Sequence, residues 1–567
     1  MRASETGPVL RMRAIAGTYV VILAWDYVAE VKPRPGLLGF AIHREELVGG
    51  APVEAYWMRG IKRFKDKDRG LPPGTPVSTA EHPIQSFQWG DYTAQTGRTY
   101  RYRIVPAYGT AKRIELDEAA SVSVMITTEI EYLLRPGLPD DGACHDVYFN
   151  RGVIGSQAYA RRFGNRPPAR DDPTSEEMVW LSRGLYEALI RFIGLANDYR
   201  SSLRAAFYEF KYAPVAHAFA AAVQAGADVK IVYDAASGYR KENEAVIREA
   251  ELDQSGAVIP RTVSTGIRHN KFIILLKDGQ PVAVWTGSTN ISDGGIFGHS
   301  NVGHIVWSSS VAQSYLDYWQ ALADDLRPAA LRPKCLALSP LPHGRPAPGS
   351  ITPVFSPRDK EDGSASLQWY ADRLGEAREI SCITLAFHLD KLFGEVLGRD
   401  NDVLRYIVKD DDLRAGESIG HDRDVIFAAG ERFRDGALAN FLSEIDNPLN
   451  ANNYIHDKFM LVDPLGEDPL IVSGSANFSH PSQRVNDENM IVIRGETRVA
   501  DIYFGEFMRI FDHHYARYVV KKLRDTDRQN PDAGYLKTDP SNWLPAHFDD
   551  RSYKSKRRRY FVGQAPG

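Results

Sequence analysis

The chain contains one 24-residue pattern twice, and its fold has to accommodate two copies of the same unit. Residues 269–292 read HNKFIILLKDGQPVAVWTGSTNIS, and residues 456–479 read HDKFMLVDPLGEDPLIVSGSANFS. The two stretches align without a gap at an offset of 187 positions. A period this long with only two copies indicates a duplicated half-domain and not a solenoid of short repeats.

The two copies share polar residues at matching positions. Each copy starts with a β-rich run, turns at a glycine and returns through a second β-rich run. Because side chains of a strand alternate between faces, a His and a Lys two positions apart share one face. The Gly-Ser-x-Asn after the returning strand lies at the same sheet end. The shared residues are His269 and His456, Lys271 and Lys458, Phe272 and Phe459, Gly279 and Gly466, Gly287 and Gly474, Ser288 and Ser475, Asn290 and Asn477, and Ser292 and Ser479.

Each half therefore offers an imidazole, an ammonium, a hydroxyl and a carboxamide, a set that suits a phosphodiester when two halves face each other. The pattern resembles the phospholipase D superfamily, whose signature is His-x-Lys-x4-Asp followed by Gly-Ser-x-Asn. The second copy matches in full, including Asp463, whereas the first has Leu276 there and Asp278 two residues later. In the superfamily this aspartate is understood as a structural anchor, so we expect Leu276 to cost a buried contact and not the chemistry. The alternative is two similar hairpins with surface histidines.

The chemistry expected of such a site runs through a phosphohistidine. The two lysines would neutralise the phosphoryl oxygens, helped by the two asparagines and the two serine hydroxyls. One imidazole attacks phosphorus, while the other protonates the leaving oxygen and then activates water. Because the lysines supply the positive charge, we expect no metal and no cofactor. We expect the two imidazoles to face each other across about 4–8 Å.

Two further polar residues assign the roles of the histidines. Glu488 and Asn301 stand eleven positions after the two Gly-Ser-x-Asn asparagines. The resemblance implies that each hydrogen-bonds the histidine of the other half, so that Glu488 backs His269 and Asn301 backs His456. A carboxylate on Nδ1 fixes the tautomer and stabilises the cation formed on phosphorylation. His269 is therefore the predicted nucleophile and His456 the predicted general acid/base, an asymmetry similar to that of tyrosyl-DNA phosphodiesterases. The alternative for Glu488 and Asn301 is ordinary loop polarity, and other histidines, including His299, are interpreted as structural.

Short aromatic and β-branched runs fill residues 1–130, separated by turn-rich pieces such as KPRPG and LPPGTP. Their order, with Trp25 early and a Tyr-x-Tyr-x-Ile strand later, resembles a fibronectin type III-like sandwich. Such modules usually position or bind other groups.

Residues 131–173 form a predicted connecting segment that mixes arginines with aromatic residues. Such mixtures grip phosphates and bases in some proteins, which makes Arg151, Arg161 and Arg162 candidate substrate-binding residues. The alternative is an interdomain connection that packs its aromatic side chains.

From Thr174 the pattern changes to alternating helices and strands, and the second half repeats the order. This predicts an α/β fold of two fused halves that form one pseudo-twofold catalytic domain. We place half 1 at 174–332, a Pro-rich linker at 333–360 and half 2 at 361–525. Residues 526–567 are predicted to be an irregular basic tail. Its RSYKSKRRRY run is either a solvated tail or a contact for nucleic acid or an anionic surface.

Composition sets limits on the environment and the partners. The net charge of −4 carries no global signature of nucleic-acid binding, so an anionic substrate has to be attracted locally. Three widely spaced cysteines favour a reducing compartment over a disulfide framework. No apolar run reaches the length of a membrane span and no signal peptide is visible, so we expect a cytoplasmic protein with no integral membrane segment.

Three functions remain open. The first is a nuclease, because GSANFS followed by NDEN resembles the compact bacterial and Zucchini-type nucleases of the superfamily. The second is a phospholipase D or phosphatidyltransferase that acts on phospholipid head groups. The third is a non-catalytic binding protein on the same scaffold, which the persistence of both His-Lys pairs disfavours. The sequence leaves the oligomeric state open.

Overall fold

The structure is a computed structural model. It describes residues 1–564 except 30, 136, 138, 140–143, 153, 420–422, 435, 436, 439, 450–453 and 526–531. Its described part is an α/β protein with N-terminal antiparallel sheets followed by two similar mixed sheets. The predicted fold class is confirmed.

The N-terminal part consists of two larger antiparallel sheets and a short two-stranded ribbon. Its strands are β1 (Arg2–Thr6), β2 (Leu10–Ala16), β3 (Val21–Tyr27), β4 (Leu37–Val48), β5 (Ala51–Trp57), β6 (Arg59–Gly60), β7 (Val77–Ser78), β8 (Gln88–Asp91), β9 (Thr99–Thr110), β10 (Arg113–Leu116) and β11 (Val122–Thr127). One sheet has the order β1-β2-β3-β8, and the other has β10-β9-β4-β5 with β11 paired to β9. Trp25, Tyr100 and Tyr102 lie in the core between them. The likeness to fibronectin type III remains a prediction.

The first half follows with the predicted alternation. Its elements are β12 (Cys144–Phe149), α1 (Gln157–Phe163), α2 (Glu176–Ser182), α3 (Leu185–Gly194), β13 (Ser201–Phe207), α4 (Ala213–Gln224), β14 (Asp228–Asp234), α5 (Arg240–Glu249), β15 (Val258–Arg261), β16 (Lys271–Lys277), β17 (Gln280–Gly287), β18 (Val302–Trp307) and α6 (Ser309–Ala323).

The second half repeats this arrangement after one further helix. The elements are α7 (Pro328–Leu338), β19 (Ile351–Ser356), α8 (Lys360–Gly375), β20 (Ile380–Leu385), α9 (Lys391–Leu397), β21 (Leu404–Lys409), β22 (Val425–Ala429), β23 (Phe459–Val462), β24 (Leu470–Gly474), α10 (His480–Arg484), β25 (Glu488–Arg494), α11 (Thr497–Asp525) and α12 (Tyr553–Phe561).

The two mixed sheets have the same topology. The first has the order β12-β18-β17-β16-β13-β14-β15, and the second has β19-β25-β24-β23-β20-β21-β22. In each sheet the last three strands are parallel and the remaining pairs are antiparallel. The repeated hairpins β16-β17 and β23-β24 therefore occupy equivalent positions near the middle of each sheet.

Two predicted boundaries are wrong, because strands at the sheet edges extend beyond the predicted halves. The segment assigned to a connection contributes β12, which pairs with β18. The segment assigned to a Pro-rich linker contributes the end of α7 and the edge strand β19. An edge strand tolerates Pro353 because only one side of it pairs with the sheet.

The prediction of an irregular C-terminal tail is also wrong for its described residues. The basic run forms α12, whose Lys556 is buried and pairs with Asp424 and with Asp402 at 2.7 Å. Phe561 packs on Phe504 with ring centroids 5.3 Å apart. Several basic groups are thus occupied by carboxylates of the chain itself, which sequence order alone does not reveal.

One continuous core contains side chains of both sheets and of helices α6 and α11. Tyr315 on α6 packs on Phe355 of the other half at 5.1 Å, and Tyr503 on α11 packs on Phe149 of the other half at 5.3 Å. Each tyrosine also contacts the Phe that follows the motif Lys of its own half, at 5.2 Å. Each half therefore buries a helix side chain against the other half.

We expect Tyr503→Ala to lower the free energy of unfolding by about 3–5 kcal/mol, because it removes a buried ring from between the halves. Tyr503→Phe should cost only about 1 kcal/mol, since it removes the hydrogen bond to His304 (3.0 Å) and keeps the ring. Urea titration measures both. Tyr315→Ala and Tyr315→Phe are the matched controls in the other half. Equal costs for Phe and Ala at position 503 would contradict the importance of ring packing.

Candidate active site

The two motifs meet because backbone segments of the two halves cross next to the histidines. The Asp487 N–H donates to the Ile267 carbonyl at 2.9 Å, two residues before His269. At the equivalent place in the other half, the Ser300 N–H donates to the Tyr454 carbonyl at 2.9 Å. These bonds place the residue after each donor beside the histidine of the opposite half.

His269 lies against a carboxylate of the second half. Its Nδ1 is 2.8 Å from Oε2 of Glu488, and the same oxygen accepts a hydrogen bond from the Ser475 hydroxyl at 2.7 Å. His269 and Glu488 are 4% and 1% exposed, so little water competes for this contact. Because an ionised carboxylate only accepts hydrogen bonds, Nδ1 carries the proton and Nε2 has a free lone pair.

His456 lies against a carboxamide of the first half. Its Nδ1 is 3.0 Å from Oδ1 of Asn301, which also accepts from the Ser288 hydroxyl at 2.7 Å. The Asn301 Nδ2 donates to the Gly295 carbonyl at 2.7 Å, which fixes the orientation of the amide. The same tautomer is therefore set on His456, with a neutral partner in place of an anion.

The two lysines are buried and hold the backbone of their own motifs. Lys271 Nζ donates to the His269 carbonyl at 2.6 Å, and Lys458 Nζ donates to the His456 carbonyl at 2.5 Å. Burial lowers the pKa of Lys271 to about 8. Burial, together with the charge of Lys271, lowers the pKa of Lys458 well below its usual range.

The two asparagines are held differently. Asn290 Nδ2 donates to Oε1 of Glu209 at 2.5 Å, whereas no carboxylate among the described residues holds Asn477 in this way. The Oδ1 atoms of both asparagines are buried and have no hydrogen-bond partner within the described residues. Both side chains thus keep hydrogen-bonding capacity that a ligand can use.

The aspartate of the motif lies in the turn of the hairpin and accepts hydrogen bonds from a neighbouring backbone segment. Asp463 accepts hydrogen bonds from the backbone N–H groups of Arg378, Glu379 and Ile380 at 2.8–3.2 Å. In the first half Leu276 is buried in the core, and Asp278 occupies the turn. Asp278 and Asp463 both have left-handed backbone conformations, with φ of 50° and 45°. The first hairpin therefore reaches its turn two residues later.

Asp278 makes a different contact from Asp463. Its carboxylate pairs with the exposed side chain of Arg200 at 2.6 Å. A surface ion pair thus replaces the three backbone hydrogen bonds of the second half.

The three arginines predicted to bind substrate have no described contact with the motif residues. Arg161 and Arg162 are exposed on α1, and Arg151 stacks on Trp180 with its guanidinium carbon 4.4 Å from the ring centroid. The contacts in the structure therefore do not join them to the candidate site.

Four residues near the motifs were not selected from the sequence. Glu209 holds Asn290, and the Tyr208 ring lies 5.1 Å from that of His269. The rings of His299 and Phe387 lie 4.5 Å and 6.3 Å from that of His456. Tyr208 and Glu209 directly follow β13, and this strand end was the available sequence signal. Within the described residues there is no group of three or more His, Cys, Asp or Glu side chains suited to a metal ion.

Electrostatics in the site disfavour protonation when no anion is bound. Burial lowers the pKa of His456 well below its usual range, and Lys458, His299, Lys271 and His269 add to the effect. Burial also lowers the pKa of His269, although Glu488 opposes this. The lysine of the other half lowers the pKa of each histidine. The two histidines and two lysines therefore interact electrostatically.

A family model described as "Cardiolipin synthase, PLD-like domain" matches residues 189–323 and 431–513. These segments contain the two motif copies. The chain thus contains a phospholipase D-like domain in two parts. This match supports phosphodiester chemistry in general. No curated protein matches the chain in sequence. Among the described residues, no helix is both long enough and apolar enough to cross a membrane.

Several solved structures are similar to parts of the chain. Polyphosphate kinase from Porphyromonas gingivalis is 13% identical over 54% of this chain and 43% of its own, with a TM-score of 0.37. Phosphatidylserine synthase from Haemophilus influenzae is 15% identical over 61% of this chain and 90% of its own, with a TM-score of 0.41. The phospholipase D family member Nuc from Salmonella typhimurium is 23% identical over 32% of this chain and 95% of its own, with a TM-score of 0.23. The chain thus spans less than half of the length of the kinase.

We expect the binding of an anion to be accompanied by proton uptake near pH 7. An anion between the lysines and histidines relieves their mutual repulsion and raises their lowered pKa values. Calorimetric titration with sulfate in buffers of different ionisation enthalpy measures the number of protons. Uptake should be on the order of one proton and should fall in His456→Asn. Binding without uptake, or with release, would contradict the lowered pKa values.

Proposed function

We propose that this protein hydrolyses phosphodiesters through a phosphohistidine and that it is a nuclease. The observation that carries the proposal is the unequal pairing of the two histidines, one with a carboxylate and one with a carboxamide. A carboxylate on Nδ1 stabilises the cation that forms when Nε2 is phosphorylated, and only His269 has such a partner. This asymmetry favours His269 as the nucleophile.

In the proposed first step, Nε2 of His269 attacks phosphorus and the bond from phosphorus to the leaving oxygen breaks. The charge of Glu488 stabilises the imidazolium character that develops on His269. His456 has taken up a proton on binding of the anionic substrate, and it transfers that proton from Nε2 to the leaving oxygen.

In the second step, neutral His456 accepts a proton from water. The resulting hydroxide attacks phosphorus and breaks its bond to His269, which regenerates the nucleophile. Lys271 and Lys458 neutralise the phosphoryl oxygens in both steps, and Asn290 and Asn477 add hydrogen bonds. The contact between Asn290 and Glu209 keeps one of these amides in a fixed orientation.

Aromatic rings beside both histidines support a nucleic-acid substrate. Tyr208 lies against His269 and also contacts Tyr239, with ring centroids 5.3 Å apart. Phe387, beside His456, is 41% exposed. Bases of a single strand stack on such rings.

The second candidate is transfer or hydrolysis of phospholipid head groups. It is favoured by one observation, the match of the motif-bearing segments to a family model named for cardiolipin synthase. The chemical steps proposed for the histidines would be the same. The two candidates differ in the groups that surround the phosphate.

We further propose that the N-terminal sheets position the second half. The Tyr92 hydroxyl donates to Asp512 on α11 at 2.6 Å, and Arg2 pairs with Asp501 on the same helix at 2.8 Å. These contacts hold the helix that contributes Tyr503 to the core.

We expect covalent labelling to distinguish the histidines. With a phosphate-labelled nitrophenyl diester, whose leaving group needs little protonation, His456→Ala should become labelled and then stall. His269→Ala should give no label, since the attacking nitrogen is missing. Acid quenching followed by peptide mapping locates the phosphate. The exposed His343 provides the control, because His343→Ala should behave as the unmutated protein. Label on the peptide of His456 in the unmutated protein would reverse the assignment.

The residues behind the histidines should have unequal effects on the first step. Glu488→Gln keeps the shape but removes the charge, and we expect it to slow single-turnover labelling by roughly 10- to 100-fold. Asn301→Ala should slow labelling less, because its partner His456 does not attack phosphorus. Rapid-quench kinetics with the nitrophenyl diester measure both rates. A larger effect of Asn301→Ala would contradict the assignment of His269 as the nucleophile.

Activity should persist in the presence of a chelator, because lysines supply the positive charge at the phosphate. The purified protein should be assayed with EDTA on single-stranded DNA, RNA and phosphatidylcholine. Cleavage of a nucleic acid supports the nuclease, and release of choline with intact nucleic acid would support the second candidate. Lys458→Met is the inactive control. Activity that is lost in EDTA and restored by Mg²⁺ would contradict the proposed mechanism.

A further inference from the structure

A cavity lies between the N-terminal sheets, helix α1 and helix α11. Its volume is about 370 Å³, which is within the range of small-ligand sites. Its walls include the aromatic side chains of Trp180, Phe433 and Phe441 and the aliphatic side chains of Ile61 and Ile510. None of the six residues of the two His-Lys-Asn sets lines it. The cavity is therefore a separate candidate site.

Arg151 brings an uncompensated positive charge to this cavity. Its Nε donates to the Trp180 carbonyl at 2.8 Å, and its guanidinium stacks on the Trp180 ring. Within the described part of the chain, its Nη groups have neither a hydrogen-bond partner nor an ion pair. Burial and the neighbouring arginines lower the pKa of Arg151 to about 9.

The neighbouring arginines are different, because each has a carboxylate partner. Arg183 and Arg509 share Glu506, both at 2.7 Å, and Arg517 pairs with Glu444 at 2.5 Å. Glu506 and Glu444 are thus already paired with other arginines, and among the described residues neither of them pairs with Arg151.

One carboxylate, that of Asp512, also lines the cavity. Its Oδ2 accepts the hydrogen bond from Tyr92, and burial raises its pKa. Arg509 and Arg517 also line the cavity, but each is paired with a carboxylate of its own. The lining therefore combines the guanidinium of Arg151 with a predominantly apolar wall.

We propose that this cavity binds a small organic anion. The oxyanion head, a carboxylate or a phosphate, would accept two hydrogen bonds from the Nη groups of Arg151, a geometry that guanidinium favours. The apolar or aromatic body would pack on Phe433 and Phe441, whose ring centroids are 5.0 Å apart. The site does not depend on the proposed catalytic function.

The experiment uses the full chain with Lys458→Met, which weakens anion binding at the histidines. Adenosine monophosphate, decanoate and decyl phosphate, each below its micelle concentration, are titrated by calorimetry, with inorganic phosphate as the head-group control. We expect at least one organic anion to bind at least tenfold more tightly than inorganic phosphate. The three probes distinguish a nucleotide from an aliphatic carboxylate or phosphate.

Two variants locate the binding. Arg151→Met should weaken it by at least tenfold, and Arg151→Lys should weaken it less. Ala516→Trp changes an exposed lining residue and should fill the cavity and abolish binding. If Arg151→Met fails to fold by circular dichroism, Ala516→Trp decides the question. The proposal is overturned if none of the three organic anions binds, if inorganic phosphate binds equally well, or if the folded variants bind as tightly as the parent.

Discussion

The site depends on hydrogen bonds that each histidine makes with the opposite half of the chain. Nδ1 of His269 donates a hydrogen bond to Glu488, and Nδ1 of His456 donates one to Asn301. Neither half alone supplies the hydrogen-bond acceptor for Nδ1 of its own histidine. The site therefore requires the interface between the halves. The interface in turn depends on Tyr315 and Tyr503, each of which packs against a phenylalanine of the other half. The packing that joins the halves thus also holds the hydrogen bonds that set the histidine tautomers.

The site contains more basic groups than carboxylates, and this affects their protonation. Burial disfavours the charged forms of the two imidazoles and the two ammonium groups. In the proposed mechanism, a phosphodiester would supply negative charge and favour the protonated forms that acid catalysis needs. The binding of the anion would therefore also protonate the general acid.

Several features were predictable because they follow from local spacing. A strand places His269 and Lys271 on one face, and the glycine turn returns the chain to the same sheet end. The offset of 187 positions predicted the duplicated α/β halves, and the topology of the two sheets confirms that fold. The edge strands β12 and β19 escaped prediction because their pairing partners lie more than 130 positions away. The burial and ion pairing of the basic run in α12 were not predicted either, because its carboxylate partners come from distant parts of the chain.

The polar groups of each half were predictable from the sequence alone, since neighbouring residues fix strand alternation and turn length. The sequence also determined the asymmetry between a carboxylate and a carboxamide at equivalent positions. Three contacts became visible only in the folded chain: Glu209 orients Asn290, Asp278 occupies the hairpin turn in place of Leu276, and Arg151 lines a separate cavity. Those contacts depend on how elements pack in three dimensions, and burial changes the charge of a group in ways that spacing does not encode.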